Sequence, residues 1–138
     1  MKIGIVGLGL MGGSFALDIR NPFPNCKIYG YDNSKTNLNK ALELGLIDQK
    51  IDLEGLKNMS IVLVSIPVNH MLSVLPKVLD IVSSNTIVFD VGSTKEAICN
   101  VLKNHKKRSN FLAVHPMAGT EFSGPSAAQK GLYIGKTN

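Results

Sequence analysis

Short apolar runs punctuate this chain at regular intervals, at residues 3–6, 61–66, 86–91 and 111–114, each closed by glycine, proline or polar residues. Runs of that length, rich in Ile and Val, predict strands covered on both faces. Residues 27–32 (KIYGYD) read as a further strand, ending in an acid. Between the strands lie stretches with helical spacing. One covers 10–19 and is halted by Asn21-Pro22-Phe23-Pro24; another covers 35–44 and is halted by Gly45. His70, Met71, Val74, Leu75, Val78 and Leu79 also recur at helical spacing, but Pro76 inside that run predicts a kink or a restart. A helix is expected over 94–104, capped by Ser93 or Thr94. Residues 46–56 carry only a weak pattern, with a short third strand near 49–51. The glycine-rich, polar stretch that begins near Gly119 predicts a loop. The end, 132–138, reads as a strand that stops abruptly, as at a chain cut at a domain edge.

Strands and helices alternate with short connections, which predicts βαβ units around a mostly parallel sheet. The first strand leads directly into Gly7-Leu8-Gly9-Leu10-Met11-Gly12, and the second helical stretch follows a strand ending in Asp32. Strand, G-x-G-x-x-G turn and helix N-terminus together make a site for a pyrophosphate. In that motif Gly7 makes the tight bend, Gly9 lets backbone approach the ligand and Gly12 lets helix pack on strand. The expected architecture is therefore a Rossmann-type, doubly wound, three-layer α/β/α fold, with residues 1–138 as one dinucleotide-binding domain.

Composition narrows the partners. The chain is 44% hydrophobic with a net charge of +5, which favours anionic ligands. Its densest basic patch, His105-Lys106-Lys107-Arg108, has no interleaved aromatics and reads as a solvated face, so no nucleic-acid partner is expected. No run approaches the roughly 20 apolar residues a membrane span needs, and nothing resembles a signal peptide. Cys26 and Cys99 lack a C-x-x-C spacing and read as reduced thiols of a cytoplasmic protein. No metal-ligand spacing is present.

Asp32 stands a little beyond the usual spacing of roughly 20 residues from the glycine turn, the surplus lying in the loop 21–26. A carboxylate there accepts ribose hydroxyls and repels the extra phosphate of NADP, so NAD is the expected cofactor. The same residue in a non-binding role would cap the following helix. Ser65, Ile66 and Pro67, at the end of a strand across the switch point, are expected to position the cofactor. Two polar stretches, 90–95 (DVGSTK) and 115–121 (HPMAGTE), end neighbouring strands and are expected to face the same crevice. Ser93 offers a hydroxyl and Lys95 a charge. His115 offers the group suited to taking a proton near neutrality. His70 and His105, on predicted helices, read as structural.

Together, GLGLMGGS, DVGSTK and HPMAGTE resemble the prephenate dehydrogenase family, which includes arogenate and cyclohexadienyl dehydrogenases. The resemblance implies oxidative decarboxylation of prephenate to 4-hydroxyphenylpyruvate with NAD, in tyrosine biosynthesis. It implies His115 as the base for the ring hydroxyl and Ser93 as its hydrogen-bonding partner. Lys95, Gly119, Thr120 and Glu121 are candidates for the substrate side. It also implies an all-helical domain that dimerises, closes the site and supplies an arginine to a small anionic substrate. That domain is absent from these 138 residues, so the chain is expected to bind NAD with little or no turnover.

Two other readings stay open. Dehydrogenases of the 3-hydroxyacid or 6-phosphogluconate type share the G-L-G-x-M-G opening, though HPMAGTE argues against them. A non-catalytic NAD-sensing module would bind NAD without any dependence on His115 or Ser93.

Overall fold

A computed structural model describes all of residues 1–138. Six strands form one sheet: β1 (Lys2–Val6), β2 (Lys27–Tyr31), β3 (Gln49–Lys50), β4 (Ile61–Val64), β5 (Ile87–Asp90) and β6 (Phe111–Leu112). Their spatial order is β3-β2-β1-β4-β5-β6, and every neighbouring pair is parallel. The order reverses between β1 and β4, the switch point at which open α/β sheets bind ligands. The doubly wound α/β/α expectation is met, with a sheet that is wholly parallel.

Four helices cover the two faces: α1 (Leu10–Ile19), α2 (Lys35–Glu43), α3 (Val68–Ile81) and α4 (Glu96–Leu102). Alternation along the central strands decides which side chain meets which layer. Ile3, Ile5 and Leu63 pack with Ala16 and Ala41 of α1 and α2. Val6, Val62 and Val64 pack with Leu75, Val78 and Leu79 of α3 and with Ile98 of α4. Cys26 is buried in the first of these cores and Cys99 is half-buried, both as free thiols.

Four expectations need correction. Pro76 neither breaks nor restarts α3, which runs continuously through it. Met71, Leu75, Val78 and Leu79 are at most 1% exposed, and burying a side chain of this kind yields about 1.5–3 kcal/mol, so together they outweigh the roughly 3 kcal/mol a mid-helix proline costs. Helix α4 is shorter than 94–104, because Lys95 stands at its N-terminus with its side chain turned inward and no side-chain cap. Strand β6 pairs only through Leu112, short of the expected 114. The tail at 132–138 is not a strand: turns run through residues 130–135. Between β3 and β4, where the pattern was weak, a 3-10 turn (Leu53–Asn58) is capped by the Asp52 side chain accepting from the Gly55 amide at 2.9 Å.

Candidate functional site

At the mouth of β1 the chain bends at Gly7, whose φ of +93° a side chain rarely adopts. The bend brings α1 so close that a Cβ on Gly12 would stand 2.1 Å from the Gly7 carbonyl oxygen and 2.5 Å from Ser65 Oγ. Ser65 Oγ in turn donates to that same Gly7 carbonyl at 2.7 Å, tying the end of β4 to the turn. Helix α1 begins at Gly9 with no capping side chain and no acid in its first turn. Its first amides are therefore left for an external anion, and the helix dipole favours one there.

Asp32 completes this end of the crevice. Its Oδ2 accepts from the Leu8 amide at 2.8 Å and its Oδ1 from the Ser34 amide at 2.9 Å. A carboxylate has about four acceptor positions, so two remain for hydroxyl donors. Helix α2 is capped by Ser34, which accepts from the Asn37 amide at 3.2 Å, and Asp32 is free of that duty. Gly7, Gly9, Asp32, Ser65, Ile66 and Pro67 line one cleft of about 520 Å³. Leu8, Leu10 and Gly12 are buried beneath it, as packing rather than lining. An uncapped helix start, a carboxylate held beside it and room made by missing side chains all suit a dinucleotide.

The same cleft includes His70, exposed at the start of α3, with Ser73, Val74, Leu53 and Asn37. In the sequence His70 reads as structural, since a helical position hides that the helix start faces the switch point. His105 does serve structure: its Nδ1 accepts from the Lys107 amide at 3.1 Å and its Nε2 lies 3.3 Å from Asp80 Oδ1.

The second polar edge is less simply arranged. The β5–β6 pairing ends at Phe89 and Leu112; Ser93 and His115 lie beyond it on the two segments that leave these strands, and both are exposed. His115 lines an open hollow of about 370 Å³ with Pro116, Met117, Ala118, Gly119 and Lys136. No sequence pattern marks Lys136 for this place; the Met117 amide, donating to the Thr137 carbonyl at 2.9 Å, brings the tail there. Thr120 and Glu121 sit in the exposed loop beyond, where Thr120 Oγ1 accepts from the Phe122 amide at 3.3 Å. Asp90 and Lys95 do not face the crevice. Asp90 is fully buried and forms an ion pair with the Lys95 ammonium.

A strap formed by residues 124–133 lies across α1, again unforeseen. The Gln129 amide donates to Ser14 Oγ at 2.9 Å, the Gly131 amide to Asp18 Oδ1 at 2.6 Å, and the Tyr133 hydroxyl to the Met11 carbonyl at 2.7 Å. Burial, and then the nearby Asp18 charge, push the Tyr133 phenol well above its ordinary value.

This fold and cleft define a dinucleotide-binding domain of a doubly wound dehydrogenase type. The chain belongs to the family described as prephenate dehydrogenase, nucleotide-binding domain, which matches residues 15–137. It is 35% identical over 133 residues to a prephenate dehydrogenase of Bacillus subtilis, covering 94% of this chain and 36% of that protein. A solved arogenate dehydrogenase from Synechocystis superposes with a TM-score of 0.88 at 34% identity, covering 99% of this chain and 48% of the other. A prephenate dehydrogenase from A. aeolicus, solved with hydroxyphenyl propionate and NAD+, superposes at 0.87 with 36% identity and the same coverages. The chain thus spans between about a third and a half of the length of these relatives.

Proposed function

We propose that this chain is the NAD-binding part of an enzyme that oxidatively decarboxylates prephenate to 4-hydroxyphenylpyruvate. The observation that carries the cofactor reading is Asp32, held by the Leu8 and Ser34 amides beside the uncapped start of α1. The uncapped start of α1 at Gly9 would hold the pyrophosphate, Asp32 the ribose hydroxyls, and Ser65 to Pro67 would border the far side of the cleft. Bound there, NAD supplies the acceptor for the hydride that leaves the hydroxyl-bearing ring carbon.

The protein's own part is proton transfer and orientation. His115 takes the proton of the ring hydroxyl as a carbonyl forms, and Ser93 orients that hydroxyl by a hydrogen bond. The ring carboxylate then departs as CO₂; its bonding pair shifts through the ring toward the carbonyl oxygen, which takes the proton back from His115 to become the phenol hydroxyl. Gly119, Thr120 and Glu121 border the substrate side. The rest of the protein supplies a helical domain that dimerises and binds the substrate carboxylates.

The test is NADH or NADPH formation by the full-length protein given prephenate or arogenate, with NAD or NADP respectively. The reading expects prephenate with NAD to be preferred, and His115→Asn to lower kcat roughly 10²- to 10⁴-fold, the usual worth of a general base. Wild-type turnover in His115→Asn overturns the assignment of the base. Arogenate, with an amine in place of the side-chain keto group, is the second reading, favoured by the likeness to the Synechocystis enzyme.

A further inference from the structure

The backbone ladder between β5 and β6 ends at the Phe89–Leu112 pair, three residues short of His115. From there on, the main-chain groups of Val114 turn to side chains. Its amide donates to Asp90 Oδ1 at 3.3 Å, and its carbonyl accepts from Lys95 Nζ at 2.6 Å. Asp90 Oδ2 accepts from both the Gly92 amide, at 2.8 Å, and the Lys95 ammonium. Asp90 is 0% exposed, and the Lys95 side chain 27% exposed. The result is a closed ring of contacts that joins the end of β5, the loop carrying Ser93, the start of α4 and the segment leading to His115.

A regular ladder would have drawn these two segments to ordinary strand spacing. An ion pair with a fully buried carboxylate offers little net stability over apolar packing, because that charge loses its water and the ammonium part of its own. Its geometry, by contrast, is specific: each charge is tied to main chain on the opposite segment. It is also electrically closed, so Lys95 offers no free charge to a substrate anion.

We propose that Asp90 and Lys95 are positioning residues that hold Ser93 and His115 at their working separation. The role rests on the chemistry proposed above for Ser93 and His115.

The test uses Lys95→Met, the paired variant Asp90→Asn/Lys95→Met, and Lys95→Arg. Lys95→Met leaves a buried carboxylate without its counter-charge and can unfold the chain. The paired variant removes both charges, and the single amide oxygen of Asn still accepts from one of the two amides, of Gly92 or Val114, that Asp90 serves. In the full-length protein the paired variant is expected to lose about 10- to 100-fold in kcat, the effect of misplacing a reacting group by about an ångström. Its KM for NAD should stay within twofold of wild type, and Lys95→Arg should recover part of the loss. In the 138-residue chain, NMR should show the His115 ring and the amides of His115, Met117, Ala118 and Gly119 shifting, with the amides of 7–14 unchanged. A paired variant that folds, keeps wild-type kcat and leaves the His115 resonances in place overturns the proposal. If the wild-type full-length protein oxidises neither substrate, the functional reading fails, and the His115 resonances alone decide whether the clamp positions that residue.

Discussion

Asp32 does two things at once, and a substitution separates them. Asp32→Asn keeps an oxygen to accept one backbone amide but removes the charge that the ribose hydroxyls would meet. Hydrogen bonds to charged groups contribute about 1.5–3 kcal/mol, so NAD affinity is expected to fall by roughly 10- to 100-fold. Affinity for NADP should fall less, because the same change removes repulsion of its phosphate; calorimetric titration with both cofactors reads the ratio. Gly12 is the other residue on which the cleft turns. With a Cβ placed 2.1 Å from a backbone oxygen and 2.5 Å from Ser65 Oγ, Gly12→Ala must push α1 off β1 or displace Ser65. Overpacking of this kind costs about 1–3 kcal/mol. Urea denaturation should show that loss, together with failure to bind NAD.

At the scale of elements, α1 is held from outside by the 124–133 strap, and Tyr133 makes that hold sensitive to alkali. Its phenol titrates above the ordinary 10.0 when folded, because burial and the Asp18 charge disfavour the phenolate. Below pH 10 the group is protonated in both states and contributes nothing to the pH dependence. Above it the unfolded chain ionises first, so stability falls with rising pH, by up to about 1.4 kcal/mol per unit. Tyr133→Phe removes that part of the alkaline loss while losing the bond to Met11; denaturation of both proteins between pH 9 and 11 measures the difference. The strap also marks the limit of what the sequence disclosed. The strands around the switch point, the glycine turn and Asp32 were legible because they depend on local patterns, β-branched runs and fixed glycine spacing. The strap was not, since it is held by contacts between residues over a hundred positions apart, such as Tyr133 with Met11. Strand β6 and helix α4 fall short of their patterns because side chains of neighbouring segments take up their ends. Val114 and Lys95 are claimed by Asp90, a residue whose place in an apolar strand gave no sign of its partners.

For the whole molecule, the two ends of the sheet edge differ in how complete they are. The cofactor cleft is lined from the ends of β1, β2 and β4 and from the start of α3, with two apolar cores beneath it. NAD alone should therefore stabilise the 138-residue protein. At a free concentration 100 times Kd the gain is about 2.7 kcal/mol, which for a domain of this size raises Tm by roughly 10 °C. Around His115, by contrast, Lys136 is the one cation in the hollow, and Lys95 is already paired. Two carboxylates of a prephenate-like anion would find a single flexible ammonium, too little to hold the ring hydroxyl at His115 for reaction. The isolated chain should then show the thermal shift with NAD, none with prephenate alone, and no NADH absorbance at 340 nm with both. Full-length protein should produce NADH under the same conditions. Turnover by the isolated chain at a rate near that of the full-length protein would show instead that Lys136 and this edge suffice to bind the substrate.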